Sequence, residues 1–154
     1  MKEVSRLSQE KKKYQTKFGE LDIADSEIVY FENGIPGFEH LKKFYVHFLK
    51  DTFPIQWLLS LENSDISFPI IDPVLVRIDY TFDISKDIVE YLGIEKPDDV
   101  KIFAIMTIPH NEPDNITVNL KAPLLISKKN NKGIQIILDN EVVCWFYPEK
   151  MMKA

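Results

Sequence analysis

Val100-Lys101-Ile102-Phe103-Ala104-Ile105-Met106-Thr107-Ile108 is apolar on both of its alternating faces. Ile102, Ala104, Met106 and Ile108 fall on one face, Phe103 and Ile105 on the other. Successive side chains of a strand point to opposite sides of a sheet, so this run suits a central strand covered on both sides. Its neighbours read as further strands. Residues 44–49, 55–61 and 66–71 are short apolar runs upstream, and residues 116–120, 124–127 and 134–138 follow downstream. Asp51-Thr52-Phe53-Pro54, Glu62-Asn63-Ser64-Asp65 and Lys128-Lys129-Asn130-Asn131-Lys132-Gly133 separate them and carry turn chemistry.

Nearer the start, Tyr14, Thr16 and Phe18 alternate with Gln15 and Lys17, and Leu21 and Ile23 alternate with Glu20 and Asp22 after Gly19. That pattern predicts a hairpin. Residues 27–31 form the next strand. A single helix is predicted over about residues 85–92. Asp83 or Ser85 caps its start, Ile84, Ile88 and Tyr91/Leu92 recur at helical spacing, and Gly93 ends it as a left-handed residue. The fold class is therefore mostly β: an antiparallel β-barrel-like or sandwich domain of about nine or ten strands with one short helix.

A chain of 154 residues with 45% hydrophobic and 12% aromatic content makes one globular domain. Residues 1–13 read as a flexible or helical extension, residues 14–140 as the β domain, and residues 141–154 as an apolar tail. Cys144 is the one cysteine, so no internal disulfide forms. Neither a secretory signal nor a run long enough to span a bilayer is present, and a reducing, cytoplasmic setting is expected.

The net charge of −5 is unevenly spread. Residues 1–17 carry six Lys/Arg against two Glu, whereas residues 20–39 carry six acids and no Lys or Arg. Residues 62–100 carry ten acids against three bases. Phosphate would be repelled by these acidic blocks, which argues against direct nucleic-acid binding there and suits a basic protein partner. A solvated acidic surface that maintains solubility accounts for the same charges.

One of these blocks contains Phe31-Glu32-Asn33-Gly34-Ile35-Pro36-Gly37-Phe38-Glu39. Gly34 and Gly37 permit positive φ and Pro36 fixes φ near −65°, so a rigid turn carrying Ile35 and Phe38 is expected. Two large apolar residues in a turn either plug the end of the core or face a partner. Phe38 leads into Leu41 and Phe44 and is assigned to the core, while Ile35 suits either role. The candidate partner-binding residues are Asp25, Glu27, Glu32, Asn33, Ile35, Phe38 and Glu39.

Signs of catalysis are weak. His40, His47 and His110 are far apart and lack ligand-type neighbours at metal spacing, so no metal or other cofactor is expected. No phosphate-loop, nucleophile-elbow or dinucleotide pattern occurs. Cys144 lies among Val142, Val143, Trp145, Phe146 and Tyr147, a setting that raises a thiol pKa. Two alternatives stay open: a small β-domain enzyme built on a carboxylate pair, and direct RNA binding through the lysines of residues 128–132.

Several segments together resemble the flagellar assembly factor family FliW. They are residues 31–39, Leu61-Glu62-Asn63 with Ile71-Asp72-Pro73, and Leu92-Gly93-Ile94 with Pro97-Asp98-Asp99-Val100. Asn119-Leu120-Lys121-Ala122-Pro123-Leu124-Leu125-Ile126 and Lys132-Gly133 before Gln135-Ile136-Ile137-Leu138 complete the set. Residues 1–13 and 141–154 depart from the family pattern. The resemblance implies a compact barrel-like fold without enzyme activity. It also implies two protein partners: the RNA-binding translational repressor CsrA, a small basic homodimer, and the C-terminal segment of flagellin. Bound to CsrA, such a protein relieves repression of flagellin mRNA, and accumulating flagellin takes it away.

Overall fold

In the computed structural model, which describes residues 10–112, 115–141 and 143–145, Val100–Thr107 is the strand around which the sheet is organised. On one edge, Ile105 and Ala104 pair with Ile70 and Ile71. On the other, residues 100–103 pair with residues 124–127, and Met106 and Thr107 pair with Val118 and Thr117. In chain order the described strands are β1 (Lys11–Thr16), β2 (Gly19–Ala24), β3 (Ile28–Tyr30), β4 (Lys43–His47), β5 (Gln56–Ser60) and β6 (Ser67–Ile71). β7 (Val100–Thr107), β8 (Thr117–Asn119), β9 (Leu124–Ser127), β10 (Gly133–Gln135) and β11 (Val143–Trp145) follow, with α1 at Lys86–Leu92.

The main path runs β10-β9-β7-β6-β5-β4-β3, with antiparallel neighbours throughout. Its two ends then meet. Tyr30 of β3 forms an isolated parallel bridge with Lys132, and its N–H donates to the Asn131 carbonyl at 2.9 Å. Asn131 Nδ2 in turn donates to the Ser26 carbonyl at 2.7 Å. The sheet is thus a nearly closed barrel, which removes most of the exposed edge an open sheet would present.

Two apolar clusters occupy the two sides of β6 and β7. Ile70 and Phe103 join Phe31, Phe44, Leu58 and Leu124 in one. Ile71, Ala104 and Met106 join Tyr80, Val118 and Leu120 in the other. The alternation in β7 has this cause, since each face of the strand meets its own cluster.

The helix begins and ends where its caps dictate. Ser85 Oγ accepts from the Ile88 N–H at 3.4 Å, and Gly93 is left-handed with φ +63°. Two boundaries lie beyond the sequence pattern. β1 begins at Lys11, inside the expected extension, with Lys11, Lys12 and Lys13 opposite Ala24, Ile23 and Asp22. Three exposed lysines give no apolar alternation, so pattern alone starts this strand late. At the other end β11 adds to β8, taking the sheet into the segment read as a tail. Residues 1–9, 142 and 146–154 of those two segments lie outside the described residues.

Candidate partner-binding surface

The acidic segment before and after β3 is built on a backbone that is fixed at nearly every step. Asp25 and Glu27 lie exposed in a 3-10 turn, Asp25–Glu27, where Glu27 Oε1 accepts from the Ala24 N–H at 3.0 Å. β3 follows, and Phe31 buries its ring completely, edge-on to Phe44 with centroids 5.4 Å apart. Gly133 makes room for it: a β-carbon there would stand 2.6 Å from the Phe31 ring.

Glu32 and Asn33 then turn outward into solvent. The Gly34 N–H donates to the Phe31 carbonyl at 2.8 Å, and Gly34 has φ +69°. A second turn follows at once. The Phe38 N–H donates to the Ile35 carbonyl at 2.7 Å, with Pro36 and Gly37 (φ +90°) at the central positions. Proline followed by a positive-φ glycine is the composition of a type II turn.

Ile35 points inward. It is only 2% exposed and belongs to the cluster of Phe31, Phe44 and Leu58. Of the two roles open to Ile35, its burial matches the plug at the end of the core, and little of its side chain is left for a partner to touch. Phe38 packs against the same cluster, edge-on to Phe68 at 5.1 Å, and keeps part of its surface exposed. Glu39 is exposed, and its Oε2 accepts from the Gly37 N–H at 3.0 Å. That hydrogen bond holds the Glu39 carboxyl below the usual carboxylate range.

The structure thus brings Asp25, Glu27, Glu32, Asn33 and Glu39 to the surface along one short stretch of chain, with Phe38 half-buried within it. Residues from elsewhere complete the arrangement. Glu62 Oε1 accepts from the Lys42 and Lys43 N–H groups at 2.6 and 2.9 Å. Burial opposes the Glu62 charge, but these donors outweigh it and the carboxyl is held below its usual range. Lys42 Nζ donates to the Glu32 carbonyl at 3.0 Å. Lys132 Nζ lies 3.5 Å from Glu32 Oε1 and 4.8 Å above the centroid of the Tyr91 ring. Glu62 falls in a segment quoted above, but its role as a clamp on the turn has no local signal. Lys132 and Tyr91 likewise reach this surface only through closure of the barrel.

Other charged groups bear on the alternatives. Lys132 of the lysine-bearing loop is paired with Glu32, while Lys128 and Lys129 are exposed. Buried Asp99 accepts from the Glu95 and Lys96 N–H groups at 2.9 and 3.2 Å, which ties the chain entering β7. Among the described residues, no three His, Cys, Asp or Glu side chains converge as metal ligands. Among the same described residues, no helix is long and apolar enough to cross a membrane.

Comparison with known proteins decides the family. The family model described as FliW protein matches residues 12–148. The chain belongs to the FliW family. The flagellar assembly factor FliW of Thermosipho africanus is 52% identical over 129 residues, covering 84% of this chain and 89% of that protein. The FliW of Thermotoga maritima is 48% identical over 128 residues, covering 83% and 86% respectively. A crystal structure of the flagellar assembly factor FliW superposes with a TM-score of 0.79 at 32% identity, covering 88% of this chain and 95% of that one. The FliW match thus includes the described strand β11.

Proposed function

We propose that this protein is a non-enzymatic, cytoplasmic flagellar assembly factor whose acidic turn binds CsrA, and that it also binds the C-terminal segment of flagellin. The supporting observation is the set of exposed carboxylates on either side of β3: Asp25 and Glu27 in the 3-10 turn before it, Glu32 and Glu39 in the hydrogen-bonded turn after it. Family membership supports the choice of partners. A rigid acidic surface meets a basic dimer with little ordering cost, and opposite charges speed encounter and reject wrong partners. Phe38, half-buried beside these acids, supplies an apolar contact at the centre.

Binding to one partner at the expense of the other makes the output depend on concentration and affinity. A preference of ~1.4 kcal/mol shifts the balance tenfold. Calorimetry of purified protein with CsrA, and separately with a C-terminal flagellin fragment, tests both contacts. Saturable heat is expected in each case, with a negative heat-capacity change where apolar surface is buried. Absence of heat and of co-elution with folded protein removes the partner concerned.

A further inference from the structure

A cleft of about 800 Å³ opens between β7, α1 and the segment of residues 72–84. Its size is that of a ligand site, for which ~300–1,000 Å³ is usual. Phe82, Ile84, Val89, Ile94, Val100 and Ile102 give it an apolar lining. The 72–84 wall is pinned from behind. Tyr80 donates its hydroxyl proton to the Leu120 carbonyl at 2.7 Å, and Arg77 Nη2 meets the largely buried Glu141 carboxylate at 2.6 Å. α1, the opposite wall, is capped at both ends. The cleft is therefore preformed, and an occupant need not order it.

Charge distinguishes its sides. Asp72 and Asp83 line the 72–84 wall as exposed carboxylates, and Asp79 lies between them in the chain. The basic residue of this wall, Arg77, is engaged by Glu141 and by Asp79, the latter at 3.5 Å. Glu95 and Lys96, of opposite charge, line it where the chain leaves α1, and Lys101 stands on β7. One wall is thus acidic above an apolar floor.

We infer that this cleft is a second docking site, for an amphipathic protein segment that lays apolar side chains on β7 and α1 and turns basic side chains to Asp72 and Asp83. It rests on the proposed function only in taking the occupant to be a protein segment. Apolar burial holds the segment, and the acidic wall selects its sign of charge and its orientation.

Two synthetic peptides of about 14 residues, roughly 20 Å of helix, test this. They share one leucine face and carry either lysines or glutamates on its flanks. With the full chain at low salt, fluorescence anisotropy is expected to show saturable binding of the lysine peptide, at least about tenfold tighter than the glutamate peptide. Asp72→Asn/Asp83→Asn should cut that preference to about threefold or less, with asparagine retaining the cap on the Val74 N–H. Val89→Trp should fill the cleft and abolish binding. Thr81→Trp, at an exposed lining position, does the same if the helix variant fails to fold. The inference is overturned if wild type does not bind the lysine peptide, if it binds both peptides equally, or if a folded tryptophan variant binds as wild type does. CsrA binding by the same tryptophan variant reports on the acidic turn, so failure of the cleft and failure of the proposed function are distinguishable.

Discussion

The backbone of Glu39 passes so close to Gly34 that a β-carbon on Gly34 would stand 2.5 Å from Glu39 Cα. Gly37, three residues on, has φ +90° and nothing within 4 Å of the same position. The two glycines of the turn therefore separate two costs. Gly37→Ala pays conformational strain alone, ~1–2 kcal/mol. Gly34→Ala adds a collision with main chain and should lose clearly more. Urea melts of both variants measure the difference, and equal losses would contradict the close approach.

Ile35→Ala should lower stability by ~2–5 kcal/mol, the range for truncation of a buried aliphatic residue. Phe38→Ala should cost less than the ~3–5 kcal/mol of a fully buried phenylalanine and should weaken CsrA binding as well. Paired melts and titrations check this. A Phe38→Ala protein with unchanged affinity would remove Phe38 from the contact surface.

Much of the fold was legible in the sequence because it depends on local alternation and caps. β7 shows both of its faces in its own residues, and Ser85 and Gly93 mark the ends of α1. The candidate surface was legible only in part. Its carboxylates lie in one stretch of chain, but the side on which Ile35 falls depends on how the barrel closes over it. The Glu62 clamp on Lys42 spans 20 residues and the Asn131 contact with Ser26 spans 105. Hydrogen bonds at such separations leave no periodic trace.

Stability should fall as pH is lowered through the acid range. The carboxyls of Glu39, Glu62 and Asp99 are held below their usual ranges in the folded protein. Groups of this kind stabilise the fold above their unfolded pKa values, near ~4, and that contribution is lost as pH drops through the folded values. Glu62→Gln should flatten the acid limb of a stability–pH curve measured by urea melts. An unchanged limb would mean that Glu62 does not clamp the turn.

At the alkaline end Tyr80 sets the expectation. Burial, with Glu141 adding to it and Arg77 opposing, pushes its hydroxyl up to about 12. The unfolded chain loses this proton near pH ~10 while the folded chain keeps it, so stability declines as pH rises from ~10 through ~12. Tyr80→Phe should reduce that decline. At neutral pH it should cost ~1–3 kcal/mol, because the Leu120 carbonyl loses its buried donor. A variant with the wild-type alkaline slope would assign the decline to other groups.

Asp25→Asn/Glu27→Gln/Glu39→Gln should slow association with CsrA while the protein stays folded, since all three positions are exposed and glutamine keeps an oxygen acceptor for the Ala24 and Gly37 N–H groups. For the wild type, raising salt should have a similar effect, because steering is screened beyond ~8–10 Å at 0.1–0.15 M ionic strength. Stopped-flow association rates give the comparison. Rates insensitive to both charge removal and salt would place the contact elsewhere.

The most direct measurement is a gel shift of CsrA on flagellin leader RNA, titrated with the purified protein. The CsrA–RNA band is expected to be lost as the protein saturates CsrA, and added flagellin C-terminal fragment should restore it. A CsrA–RNA shift unchanged at saturating, folded protein would mean that this protein does not release CsrA from its RNA.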